Sequence, residues 1–307
     1  TADVFVTNLR RKAIDRLGLA EERVRAVRPD IVYCMANGFG SDGPNADKTA
    51  YDDVIQAASG LASTFAWHGG DPQLVPSILA DKVAGVHVAF AIAAALFDRE
   101  RTGKGALLEV PMAETMAAFN LVEHLGGQTF RPQHGDFSYS RIRTPHRRPR
   151  RTKDGWIVVL PYSTDNWHRF FEFAGQPEMK NDKRFASGGE RIKHSDELYG
   201  LLDDIVKEKS TAEWIEFCAE HSIPASEVID LERIGEHPHF KAVGMLQDEE
   251  HPTEGDCRYV RDPIKVDGEI SPLRRHAPHH GADTEEVLRE IGWNDERIAA
   301  LRTGNTS

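Results

Sequence analysis

Asp3-Val4-Phe5-Val6-Thr7, then Lys12-Ala13-Ile14-Asp15-Arg16-Leu17 ending at Gly18, then Glu21 to Val27, then Ile31-Val32-Tyr33-Cys34-Met35-Ala36 decide how this chain folds. The first and last runs are short, apolar and rich in β-branched and aromatic residues, which predicts strands. The two between them have helical spacing; one stops at a glycine and the other just before Pro29. Strands alternating with helices predict a parallel sheet wrapped by crossovers. Working outward, helices are predicted over Asp52–Ala62 and Asp81–Arg101, a strand over Ala106–Val110, and a helix over Pro111–His124 with proline at a tolerated first-turn position. Asp81–Arg101 is nearly all apolar, so it is expected to be buried.

Gly126 to Arg151 breaks this pattern. It is rich in Gly, Pro, His and Arg, and is read as a linker lying across the surface. A strand over Gly155–Leu160 opens a second unit, with helices over Thr164–Ala174, Arg191–Lys207 and Thr211–His221 and a strand around Glu227–Ile229. Val260–Pro278 reads as an extended second linker, and Thr284–Ile291 with Asn294–Leu301 as a closing helix pair.

The 307 residues suggest about two domains. A composition 40% hydrophobic and 28% charged is that of an ordinary globular protein. The 38 Lys and Arg against 49 Asp and Glu give a net charge of −11, which argues against a partner such as nucleic acid or an anionic membrane. The longest apolar run, Val83–Phe97, is interrupted by His87 and is too short to span a bilayer. Three widely spaced cysteines, Cys34, Cys218 and Cys257, offer no disulfide framework and suit a reducing, cytoplasmic setting. The sequence starts directly in a strand without an initiator methionine, as if something upstream had been cut away.

Several motifs could carry chemistry. Gly38-Phe39-Gly40-Ser41-Asp42-Gly43 is a literal GxGxxG after a strand, but Pro44 follows where a dinucleotide site opens a helix, which favours a glycine-rich turn beside a ligand. Six arginines between Arg141 and Arg151 suit phosphates or carboxylates, or form a solvated linker; the solvated reading is preferred for most of them. His276, His279 and His280 lack a carboxylate or cysteine at ligand spacing, so no metal site is assigned. Cys34 and Cys218 read as packing residues. Asp81 opens the apolar helix. By position it is an N-cap whose oxygen accepts first-turn amides. The same place, in apolar surroundings with Gly85 one turn on, also suits a nucleophile.

The motifs together resemble the class III CoA-transferases, the CaiB/BaiF family. Ala2–Leu9 with Arg16-Leu17-Gly18-Leu19, the Gly38–Pro44 loop, Ala50-Tyr51-Asp52 with Gln56–Gly60, and Ala80-Asp81 with Ala84-Gly85 follow that family's order. So do Arg99 to Gly105, Thr152–Trp156 and Thr284–Leu288. The resemblance implies an α/β fold: a doubly wound parallel-sheet large domain, lacking its first strand–helix units, and a smaller α/β domain reached by two linkers. On this sequence that partition becomes 1–125 for the CoA-binding domain, 126–151 and 259–282 for the linkers, 152–258 for the small domain, and 283–307 for C-terminal helices packing on the large domain. An interlocked homodimer is also implied.

For chemistry, the resemblance makes Asp81 the nucleophile. It attacks an acyl-CoA to give a mixed anhydride, CoA returns to form an aspartyl-CoA thioester, and an acceptor carboxylate leaves carrying the CoA. Family CoA contacts carry over to Asn8, Leu9, Arg10, Arg16, Thr49, Ala50, Tyr51 and Asp52. CoA is a substrate, with no tightly bound cofactor and no metal implied. Arg11 stands where the family usually has proline, and Gly126–Arg151 lacks the glycine run of the formyl/oxalate-type members. Racemase relatives use a histidine where this chain has Tyr51, a poor base at neutral pH. His87 is expected to be a core histidine. A non-catalytic fragment or structural subunit is the remaining alternative.

Overall fold

Val4–Thr7 (β1), Val32–Met35 (β2) and Leu107–Glu109 (β3) form a parallel sheet in the order β1-β2-β3. The structure, a computed structural model, describes residues 2–302, so Thr1 and residues 303–307 of the expected tail lie outside the described residues. β2 is the central strand and is buried throughout, as a strand covered on both faces must be. Phe5 of β1 stacks on Tyr33 of β2 with ring centres 4.9 Å apart. Arg11–Leu17 (α1) and Glu21–Val27 (α2) make the crossover between them, and Gly18 closes α1 at φ 70°.

The next helices are Asp52–Ala58 (α3), Leu61–Thr64 (α4), Leu79–Thr102 (α5) and Met112–His124 (α6). The single helix expected over Asp52–Ala62 is broken, because Gly60 turns to φ 85°. Ile55, Ala80, Ala113 and Met116 form the core that joins α3, α5 and α6. The far end of α5 is fixed by Arg99, which bonds the Asp3 carboxylate at 3.0 Å and the Asp3 carbonyl at 3.3 Å, and lies 3.9 Å from Asp30. At Gly105 a side chain would collide with the Ile31 carbonyl, so this glycine lets β3 settle beside β2.

α5 departs from expectation in two ways. Its buried residues are Ala80 and Ala84, while Val86 and Phe90 are 69% and 74% exposed. Composition sets what a face prefers to meet, and among the described residues β2, α3 and α6 are the elements packed most closely against it. The helix also extends past both ends of Val83–Phe97. At 24 residues it is long and apolar enough, by length and composition, to cross a membrane, a test that core helices also pass. His87, expected in the core, is exposed and bonds the Val83 carbonyl through Nδ1 at 2.8 Å.

Residues 150–227 build a second core. Arg150–Arg151 (β4), Trp156–Val159 (β5) and Ala225–Glu227 (β6) form an antiparallel sheet, the last strand two residues earlier than expected. Phe170 and Trp214 stack at 4.9 Å in its centre. The helix expected over Arg191–Lys207 is two, Gly188–Lys193 and Ser195–Val206, because His194 leaves helical geometry between them. By contacts the chain divides at Val228, and the unit from Ile229 contains the hairpin Leu246–His251 (β7) with Gly255–Val260 (β8). The sequence reading contains no such hairpin, since Leu246-Gln247-Asp248-Glu249-Glu250-His251 is too polar to show apolar alternation.

Four arginines of the basic segment, Arg143, Arg147, Arg148 and Arg151, are exposed as expected for most of them, but Arg141 and Arg150 are taken into the fold. Arg150 is 5% exposed; it donates to the carbonyls of Arg148 at 3.2 Å and His146 at 3.1 Å and lies 3.4 Å from Asp203. Asp203 also takes Arg148 and His146, each at 3.0 Å, while Arg141 bonds the Tyr199 hydroxyl at 2.5 Å. Arg143 stacks over Trp67 at 5.4 Å, so the segment is held against both cores. Helix Ser195–Val206 thus supplies the carboxylate that meets His146, Arg148 and Arg150.

Burial alone would raise the Asp203 pKa, but bonds from His146 and Arg148 and the charges of Arg150 and Arg148 hold it below the usual aspartate range. An acid whose pKa is lowered on folding adds stability above its unfolded pKa and loses it as the pH falls through the folded value. Asp203→Asn is therefore expected to cost about 2 kcal/mol at pH 7, somewhat below the range for a fully buried pair. Denaturant melts should show the gap to the native protein closing at acid pH.

Candidate active site

β2 runs out into the glycine loop expected to flank a ligand. Gly40 donates its amide to Glu114 at 3.0 Å, and Ser41 donates its amide and hydroxyl to Glu109 at 2.8 Å each. These amides are committed to protein carboxylates, and the next helix begins only at Asp52, so the loop lacks the free helix N-terminus of a dinucleotide site. A side chain at Gly38 would stand 2.5 Å from the Ala50 Cβ, so this glycine allows the loop to double back. Glu109 and Glu114 escape sequence reading because isolated glutamates carry no pattern.

The doubled-back loop forms one wall of a cleft of about 590 Å³. Asn8, Leu9 and Arg10 line it after β1, Thr49, Ala50 and Tyr51 before α3, and Asp81 and Gly85 on α5. Of the residues singled out from sequence, Arg16 and Asp52 do not line it: Arg16 is exposed at the end of α1, and Asp52 is 5% exposed behind the cleft. Sequence reasoning missed Lys48 and Asn37, which also line the cleft. Lys48 adds a cation near Arg10. The Asn37 Oδ1 is buried without a hydrogen-bond partner among the described residues.

Asp81 is the third residue of α5; Ile78 holds the N-cap position and makes no side-chain cap. The side chain of Asp81 is therefore not the cap that its position suggested. Asp52 supplies that function from the neighbouring helix, accepting the Asp81 amide on Oδ1 at 3.1 Å. Its other oxygen accepts Gln56 Nε2 at 2.6 Å. The Asp81 carboxylate itself opens onto the cleft, with no hydrogen bond or ion pair among the described residues. Loss of water from the packed walls, and then the Asp52 charge behind it, hold Asp81 above the ordinary aspartate pKa. Such an oxygen is unpaired, exposed to a ligand and more basic than usual, which suits nucleophilic attack. One turn on, a Cβ added at Gly85 would meet open space, so the helix backbone itself faces the cleft.

The remaining candidates fall outside this cleft. Cys34 and Cys218 are fully buried, and burial pushes the Cys218 thiol up to about 11, so both act as packing residues. His276 lies 3.6 Å from Glu249 and His279 3.2 Å from Glu254. Among the described residues no group of three His, Cys, Asp or Glu side chains converges on a metal position.

Solved structures share this fold. The fold matches that of a CaiB/BaiF family protein from Brucella suis, with a TM-score of 0.76 at 23% identity over 94% of this chain and 75% of that one. It also matches Rv3272 from Mycobacterium tuberculosis, with a TM-score of 0.74 at 23% identity over 89% and 73% of the two chains. The sequence model of CoA-transferase family III matches residues 1–284, and the chain belongs to that family. It is a CoA-transferase by class. The formyl-CoA:oxalate CoA-transferase of Rhodopseudomonas palustris (strain BisA53) is 26% identical over 326 aligned residues, covering 98% of this chain and 76% of its own. That of Afipia carboxidovorans is 27% identical over 328, covering 99% and 76%.

Gly85 gives the cleft its first test. Gly85→Ala is expected to stabilise the mid-helix position by about 1 kcal/mol. Gly85→Leu should fold as well but fill the space beside Asp81, raising KM for the acyl-CoA at least about tenfold, the equivalent of roughly 1.4 kcal/mol of lost binding. Thermal melts and steady-state kinetics on the two variants read these effects separately.

Proposed function

We propose that this chain moves CoA from an acyl-CoA to a free carboxylic acid with Asp81 as the nucleophile. The observation that carries the reading is the Asp81 carboxylate, free of partners and open to a cleft that Arg10 and Lys48 make locally cationic. Those two side chains suit the phosphates of CoA, with Asn8, Leu9, Thr49, Ala50 and Tyr51 as further contacts.

An Asp81 oxygen attacks the thioester carbonyl, the C–S bond breaks and CoA leaves as thiolate, giving a mixed anhydride. The thiolate then attacks the aspartyl carbonyl, expels the donor acid as carboxylate and forms an aspartyl-CoA thioester. The acceptor carboxylate attacks that thioester, releasing thiolate again and forming a second anhydride. Attack of the thiolate on the acceptor carbonyl yields the new acyl-CoA and restores the Asp81 carboxylate. The positive end of the α5 dipole favours the negative charge that builds up in each addition. CoA acts as a substrate throughout. Relatives named for formyl-CoA and oxalate support small carboxylic acids as the substrate class.

Hydroxylamine added with an acyl-CoA should leave a hydroxamate on Asp81, detected by peptide mass mapping. Asp81→Ala should lower transfer by at least about 10⁴-fold, as loss of a nucleophile does in other covalent enzymes. A label on another residue, or undiminished transfer, would overturn the assignment.

We also propose a homodimer acting in the cytoplasm. Support for the dimer comes from α5 and α6, where Phe90, Phe97, Phe119 and Val122 are each more than half exposed. Three free cysteines suit a reducing compartment. Sedimentation should give twice the chain mass, and Phe90→Asp with Val122→Asp should shift it to monomer.

A further inference from the structure

We propose that Gln56 is a positioning residue for Asp81, acting through Asp52; this rests on Asp81 being the nucleophile. Gln56 is fully buried and uses both ends of its amide. Nε2 donates to Asp52 Oδ2 at 2.6 Å and to the Ser77 carbonyl at 3.1 Å. Oε1 accepts the Val75 amide at 2.8 Å. One side chain therefore holds the segment leading into α5 at two backbone points, and holds the carboxylate that takes the Asp81 amide at 3.1 Å.

The amide is suited to this work in a way its acid counterpart is not. It offers donors to the ionised Asp52 and to a carbonyl, and an acceptor to an N–H, all at once. A carboxylate at this place could still accept from Val75 but would face Asp52 as a like charge. Among the described residues no cation pairs with Asp52 to relieve that repulsion. Lys82 turns its Nζ to the Ser77 hydroxyl at 2.9 Å. Glu114 of α6 is taken by the Gly40 amide, and α4 carries no charged residue. Asp53 adds a second acid on α3, while Lys48, Arg10 and the Tyr51 hydroxyl lie on the cleft.

Gln56→Glu supplies the test. When protonated, the new acid donates to Asp52 as the amide did; when ionised, it repels Asp52 and loosens its hold on the Asp81 amide. The variant should show a fall in kcat with rising pH that the native enzyme lacks, of about tenfold for each unit above the new pKa. KM for the acyl-CoA should change much less, because Gln56 does not line the cleft. In Asp52→Asn/Gln56→Glu the like charge is gone, so the alkaline fall should disappear. If the single variant fails to fold, Gln56→Met carries the test: kcat should fall at least about tenfold with KM for the acyl-CoA nearly unchanged, and an unchanged kcat overturns the role. Hydroxylamine trapping on the native enzyme is run alongside. A label on Asp81 with a Gln56→Glu profile parallel to the native one overturns the role of Gln56 alone. A uniform loss at every pH does the same, because it marks a structural residue. A label elsewhere overturns the nucleophile, and this role with it.

Discussion

Asp52 takes the backbone amide of Asp81 from behind the cleft, and much of the site follows from that hydrogen bond. Helices leave their first amides without internal partners, and the usual remedy is a side chain just before the helix. Here Ile78 stands at that position and offers nothing, so the remedy comes from α3. The two helices cannot separate without stranding an amide and a buried carboxylate together, which makes the junction costly to open. At the other end of the same helix Arg99 bonds Asp3 and lies close to Asp30, at the beginnings of β1 and β2. The position of Asp81 is thus set by sheet and helix at once, while its own oxygens are left free.

Charge is organised in the same local manner. The chain carries a net charge of −11, yet Arg10 and Lys48 stand on the cleft. Acids nearby are mostly occupied with structure: Glu109 and Glu114 hold the glycine loop, and Asp47 pairs with Lys12 at 2.6 Å. An anionic ligand in the cleft meets these two cations, whatever the sign of the chain as a whole. Overall charge therefore spoke to excluded partners, and the sign of the binding site had to come from the folded arrangement.

How far the sequence could be read follows the same division. α1 and α2 were legible because each has a helical period and a clear stop, at Gly18 or before Pro29, and β1 and β2 because each is a short run of β-branched and aromatic residues. The break at Gly60 was not, since a glycine in a helical pattern can be tolerated or can turn. Apolar composition indicated that α5 has a face to cover but could not say that Val86 and Phe90 would be open within this chain. The burial of Arg150 within an otherwise solvated basic run was not legible, because its acid, Asp203, lies more than fifty residues away in sequence. Asp81 could be picked out by motif, and Asp52 was named beside it; their connection through a backbone amide needed three dimensions.

Gly85 gives the cleft a wall of bare backbone. A side-chain wall can be trimmed or can swing aside, so its tolerance drifts in both directions under substitution. A glycine wall is already at its minimum, and the helix behind it is held at both ends. Every replacement there narrows the passage beside Asp81 and none widens it. The cleft can therefore be narrowed at this point by a single change but not widened, and any widening would have to come from another part of its lining.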